Sequence, residues 1–189
     1  MLNISQALAQ NQTPHIKRIL FLGAECTGKT TLCQDLARHW QTTWVAEYMR
    51  EYLQEKWDVL HQSCEWHDII PIAIGQVQSE NQQAERAKQY LFCDTGLIEL
   101  MVYSQLYYKS CPKEIVDQAL LHHYDLIIIP EVDNIVWQAD DLRDCPNGRE
   151  DIVTLFKHCL DEHGKTYHCV IGDRMQRVAQ VNQLLASLA

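Results

Sequence analysis

No apolar run in this chain approaches the roughly 20 residues needed to cross a bilayer, so a membrane-spanning protein is not expected. A basic start followed by a long apolar stretch, the mark of a secretory signal, is also missing. Met1 to Thr13 reads instead as a polar leader rich in Gln and Asn, placed over residues 1–15 ahead of the domain. Positive charge is the scarcer sign, with 16 Lys and Arg against 25 Asp and Glu, a net of −9. A nucleic-acid partner needs a basic face for the phosphate backbone, and this balance argues against one. None of the eight cysteines forms a C-x-x-C pair. Several fall in apolar strands or on helices, where a thiol acts as a small hydrophobe, so a reducing, cytoplasmic setting is expected. Repeats, low-complexity blocks and linkers are wanting too. One domain over 16–189 follows, with 47% hydrophobic content to build its core.

Against those absences stands one strong motif. Gly23-Ala24-Glu25-Cys26-Thr27-Gly28-Lys29-Thr30 fits the phosphate-binding pattern G-x-x-x-x-G-K-[ST]. A short apolar strand precedes it at 17–22, and Leu32, Leu36, Ala37 and Trp40 fall on one helical face after it. In that setting the loop amides and the helix N-terminus face the phosphates. Gly23, Glu25, Cys26, Thr27, Gly28, Lys29, Thr30 and Thr31 are therefore expected to hold ATP. Lys29 would reach the β- and γ-phosphates, and the Thr30 hydroxyl would ligate Mg²⁺.

Apolar strand patterns at about 17–22, 43–46, 89–93, 125–130 and 166–171 alternate with helical ones at about 29–40, 47–56, 69–88, 97–109, 113–122, 150–162 and 174–187. The fourth strand pattern, Leu126 to Pro130, is apolar without alternation, as a strand covered on both faces would be. The pattern predicts an α/β fold: a P-loop NTPase three-layer α/β/α sandwich with a five-stranded parallel sheet, of the nucleoside- and nucleotide-kinase kind. Ligands of such sheets bind at the carboxyl ends of the strands.

The residues there carry chemistry. Glu47 and Arg50 follow the second strand, and a carboxylate at that point can accept the proton of an attacking hydroxyl or serve only as a first-turn acid. Asp94 ends the third strand, suited to Mg²⁺ or to a substrate hydroxyl and suited equally to capping the next helix. A long polar excursion over about 131–150, with Arg143 and Arg149, reads as a lid whose guanidiniums stabilise charge on a moving phosphoryl group. The turn Gly172-Asp173-Arg174 is a candidate wall for the nucleoside base.

The order G-A-E-C-T-G-K-T-T-L, A-E-Y-M-R-E-Y, F-C-D-T and W-Q-A-D-D-L-R, then a second arginine, resembles the ribosylnicotinamide kinase domain of the NadR family from about Ile16 onward. The resemblance implies ATP- and Mg²⁺-dependent phosphorylation of the 5′-hydroxyl of nicotinamide riboside, a small-molecule nucleoside partner. It implies that Lys29, Glu47, Asp94, Arg143 and Arg149 serve catalysis, with Thr30 and Asp94 at the metal. Glu47, Arg50, Asp94, Trp137 and Asp140 would hold the nucleoside, with Trp137 stacking on the cationic pyridinium. Two departures stand out. The adenylyltransferase domain usual in that family has no room here, which implies a stand-alone kinase. Position 96, where a further acid is expected, is glycine.

Other readings fit less well. A regulatory GTPase would show N-K-x-D, which does not occur. A non-catalytic ATP-binding protein would have no need of Asp94, Arg143 and Arg149. Another nucleoside or deoxynucleoside kinase fits the same motifs; a monophosphate kinase would need basic residues for its acceptor, and 47–80 offers only Arg50 and Lys56. His61, Cys64 and His67 drift around a helix and lack a fourth metal ligand. His122 and His123 are expected to cap a helix C-terminus, and Tyr103, Tyr107 and Tyr108 to pack in the core.

Overall fold

Short apolar strands placed between amphipathic helical segments fix the architecture seen in the computed structural model, which describes residues 3–132 and 148–188. In chain order these form α1 (Ile4–Ala7), β1 (Lys17–Phe21), α2 (Lys29–His39), β2 (Trp44–Val45) and α3 (Tyr48–Leu60). A 3₁₀ turn (Trp66–Asp68) leads to α4 (Ile69–Arg86), β3 (Tyr90–Asp94), α5 (Leu97–Tyr108) and α6 (Lys113–Leu121). The chain closes with β4 (Leu126–Pro130), α7 (Arg149–Glu162), β5 (His168–Val170) and α8 (Arg174–Ala186). The strands pair in parallel in the order β2-β3-β1-β4-β5.

Both faces of the sheet are covered, and side-chain alternation divides the core in two. Ile19 and Phe21 of β1, Tyr90 and Phe92 of β3, and Leu126 and Ile128 of β4 pack with α2 and α8. The intervening Leu20, Leu91, Cys93, Ile127 and Ile129 pack with α4 to α7 on the other face. Each large apolar side chain buried this way contributes roughly 1.5–3 kcal/mol. The outcome is the three-layer α/β/α sandwich of a P-loop NTPase.

Two expectations are corrected at the N-terminal end. The polar leader is polar only in part. Leu8 is fully buried, and α1 contacts α4 and α6. Beyond it, Gln10 Nε2 donates to Glu80 Oε1 at 2.7 Å, and Arg18 Nη2 donates to the Asn11 carbonyl at 2.8 Å. Glu80 also receives Arg18 Nη1 in a buried ion pair. His122 takes the expected C-cap position of α6 but does not offer the helix dipole a cation there. It is buried, its Nε2 lies 2.8 Å from the Leu8 carbonyl, and burial pushes its imidazole below the ordinary range, toward the neutral form.

Candidate functional site

Register brings the first pieces of the site together. Phe21, the last residue of β1, lies opposite Asp94, the last of β3, so the chain enters the phosphate loop beside that carboxylate. The loop turns on residues in the left-handed region: Gly23 at φ 138°, Cys26 at 54° and Gly28 at 85°. Glycine meets that demand without strain, and Gly28 is the cap of α2. Thr27 Oγ1 donates to the Ala24 carbonyl at 2.9 Å and closes the curve from within. Lys29 is buried at the centre. Its Nζ donates to the Gly23 and Ala24 carbonyls at 2.7 and 3.1 Å and lies 3.9 Å from Glu99 Oε1.

Around that ammonium the charge is strongly negative. Burial opposes the Lys29 charge, but the fields of Glu99, Glu47, Asp94 and Glu25 outweigh it, and its pKa is raised. Asp94 is almost fully buried. Desolvation, reinforced by Glu47, outweighs Lys29 and the Thr30 hydrogen bond and raises its carboxyl to about 6. Thr30 Oγ1 donates to Asp94 Oδ2 at 2.5 Å, while Asp94 Oδ1 is buried without a hydrogen-bond partner. Glu99 is buried in the same way, with Oε2 unpartnered and its pKa well above the ordinary value through desolvation. A hydroxyl and two carboxylates with unsatisfied oxygens form a hard-oxygen donor set of the type Mg²⁺ requires.

The backbone after β3 is strained where the chemistry would lie. Thr95 holds φ 73°, an outlier for a β-branched residue, and its N–H donates to the Phe21 carbonyl at 3.1 Å. A Cβ at Gly96 would meet the Tyr124 hydroxyl at 2.8 Å and Leu20 Cδ1 at 3.1 Å. An acid at position 96 would therefore not fit, and the additional carboxylate is supplied from the next turn by Glu99. That residue is legible as an acid inside the apolar run Leu97-Ile98-Glu99-Leu100-Met101, one turn beyond the strand end.

Among the other expected residues, Glu47 is half-buried at the N-cap of α3, and its field reaches Lys29, Asp94 and Glu99. Arg50 is exposed one turn further on, its charge felt at Asp94. Arg149 opens α7 and donates from Nη1 to the Cys26 carbonyl at 3.1 Å, which brings it onto the phosphate loop. Arg174 forms a two-pronged pair with Asp35 of α2, its guanidinium lowering that carboxyl's pKa, and it also lines the cavity between the loop and the Gly172 turn. Trp137, Asp140 and Arg143 lie outside the described residues.

Two cavities flank the loop. One of about 260 Å³ is walled by Thr27, Gly28, Thr31, Gly172, Asp173 and Arg177, on the α2–α8 side. The other, of about 450 Å³, lies between α3, α4 and α5. Glu25, Trp57, Tyr103, Tyr107, Met49 and Leu53 are among its walls, and no lysine or arginine is among the described residues that line it. Tyr103 and Tyr107 stack with centroids 6.0 Å apart and planes 18° from parallel. Tyr103 also packs edge-on against Phe156, as the core expectation requires, yet all three tyrosines face this cavity.

Residues 18–177 match the AAA domain family AAA_28. This chain belongs to that family. The trifunctional NAD biosynthesis/regulator protein NadR of Salmonella typhimurium LT2 is 31% identical over 130 residues, which is 68% of this chain and 31% of that protein. Its counterpart in Escherichia coli K12 is 29% identical over 152 residues, 78% of this chain and 36% of the relative. The chain thus spans about a third of the length of these relatives. Among solved structures, NadR protein in complex with NR superposes with a TM-score of 0.72 at 22% identity, over 89% of this chain and 51% of that one. Deoxyadenosine kinase from M. mycoides gives 0.61 at 12% identity, over 91% and 100%. Thymidylate kinase from Ehrlichia chaffeensis gives 0.60 at 15%, over 91% and 100%. At these identities the solved structures speak for the fold: a NadR-like P-loop domain of the kinase kind. No helix among the described residues is long and apolar enough to cross a membrane.

Proposed function

We propose that this AAA_28 member is a kinase that transfers the γ-phosphoryl group of ATP to the 5′-hydroxyl of nicotinamide riboside. The observation that carries this reading is the 450 Å³ cavity, with no basic side chain among the described residues that wall it, opening beside a phosphate loop surrounded by carboxylates. An acceptor that already bore a phosphate would be repelled there. An uncharged or cationic nucleoside is favoured, and a flat pyridinium suits the faces of Trp57, Tyr103 and Tyr107. The names of the NadR relatives, which cite NAD biosynthesis, support the same acceptor.

In this reading ATP lies with its base in the cavity beside Gly172 and Asp173, and its phosphates on the loop amides. Lys29 leaves the Gly23 and Ala24 carbonyls for the phosphate oxygens, and Arg149 approaches from the head of α7, where its positive charge offsets the negative charge on the transferred group. Asp94, tied to Thr30, and Glu99 would hold Mg²⁺, which would supply positive charge to neutralise the phosphates. With Asp94 occupied in that way, Glu47 is the carboxylate assigned to orient the acceptor hydroxyl and receive its proton.

The test is ATP consumption by the purified chain across nicotinamide riboside, deoxynucleosides and nucleoside monophosphates, with the product identified by mass. Preferential turnover of nicotinamide riboside is expected. Turnover of monophosphates alone would overturn the acceptor assignment, and turnover undiminished in Lys29→Ala would overturn the role of the loop.

A further inference from the structure

Arg177 is a buried cation in the first turn of α8, with 4% of its surface exposed. That is an adverse place for positive charge, since the helix N-terminus is itself the positive end of the dipole and desolvating a guanidinium is costly. Three carbonyls from three separate segments offset the cost. Nε donates to Gly172 at 2.8 Å, Nη1 to Thr27 at 2.8 Å and Nη2 to Glu131 at 2.9 Å. Gly172 belongs to the turn walling the smaller cavity, Thr27 to the phosphate loop, and Glu131 to the chain leaving β4.

The Thr27 contact has a directional result. A trans peptide is rigid and planar, with its C=O and N–H on opposite sides. Holding the Thr27 oxygen toward Arg177 aims the N–H of Gly28 the other way, into the concavity of the loop. Arg149 does the same for the preceding peptide by gripping the Cys26 oxygen, which aims the Thr27 N–H. Two arginines from different helices thus set two successive amide donors. Only Arg177 also holds the wall of the base-side cavity.

We infer that Arg177 is a positioning residue that couples the base-side turn at Gly172 to the phosphate-binding amides, so that occupancy of one organises the other. The inference rests on the kinase reading for its nucleotide. It concerns how the donor is gripped rather than which acceptor is used.

Calorimetry on the full chain with Mg–ATP and with Mg–tripolyphosphate, which has phosphates but no base, tests it. Arg177→Lys is expected to weaken both ligands at least tenfold while leaving the acceptor KM within twofold. Gly172→Ala forces a side chain at φ 88° into Gln176, where a Cβ would come within 2.1 Å of Oε1. It disturbs only the base-side turn, yet is expected to weaken tripolyphosphate severalfold, an effect that disappears in the Arg177→Gln background. Unchanged tripolyphosphate binding in Arg177→Lys overturns the inference, as does Gly172→Ala weakening ATP alone. Should Arg177→Lys fail to fold, the Gly172→Ala comparison decides. A parent chain that binds neither ligand overturns the kinase reading and this inference together, whereas a binding parent with unaffected variants overturns the inference alone.

Discussion

Thr30 and Asp94 are joined by a 2.5 Å hydrogen bond from the threonine hydroxyl to the aspartate Oδ2, across the gap between the start of α2 and the end of β3. The bond holds together two oxygens 64 residues apart in sequence, the pair assigned to Mg²⁺ in the kinase reading.

Removing that hydroxyl tests the seat directly. Thr30→Ala is expected to raise the Mg²⁺ concentration giving half-maximal turnover by roughly 10- to 100-fold, with Thr30→Ser close to the parent. A magnesium titration that superposes for all three proteins would dismiss the assignment.

The raised Asp94 pKa makes a prediction about stability in magnesium-free buffer. The folded carboxyl titrates at about 6 against an ordinary 3.8, so the folded state holds this proton more tightly than the unfolded chain. Its contribution is therefore most favourable below about pH 4 and is lost as pH rises through 6. Asp94→Asn carries no such penalty. By urea denaturation it should exceed the parent by on the order of 1–3 kcal/mol at pH 8, the gap narrowing toward pH 5, although turnover is abolished. A stability difference that is constant with pH would contradict the burial argument.

Gly96 offers a packing test. Gly96→Ala presses a methyl group onto the Tyr124 hydroxyl and Leu20, and overpacking of that kind costs roughly 1–3 kcal/mol. Tyr124 cannot retreat freely, because its hydroxyl donates to Glu80 Oε2 at 2.9 Å. A thermal melt of Gly96→Ala should fall clearly below the parent, and Tyr124→Phe in the same chain should recover part of the loss. An unchanged melt would show that the turn tolerates a side chain after all.

Much of the fold was legible because its signals are local. The strand β1, the loop glycines and the helix behind them announce themselves between Lys17 and His39, and β4 declares its two-sided burial by apolar content alone. What escaped notice depends on distance in sequence. Glu99 looks like an ordinary helix residue until β3 and the loop bring it to Lys29, and Arg177 reads as one more charge on an amphipathic helix until Thr27, 150 residues earlier, meets it. Ile4 and Leu8 lie in a short stretch with too few turns for periodicity to register, and their burial is decided by α4 and α6. The side chains facing the 450 Å³ cavity come chiefly from α3, α4 and α5, elements separated in the chain, so pattern reading could assign their faces but not their shared space.

The two cavities are lined by different helices, α3 to α5 for one and α2 with α8 for the other, and both reach the phosphate loop. In the kinase reading, exchanging residues of α3 and α5 would retune which alcohol is accepted without touching the pair of helices assigned to the nucleotide. A scaffold divided in this way can diversify its clientele while its fuel supply stays constant.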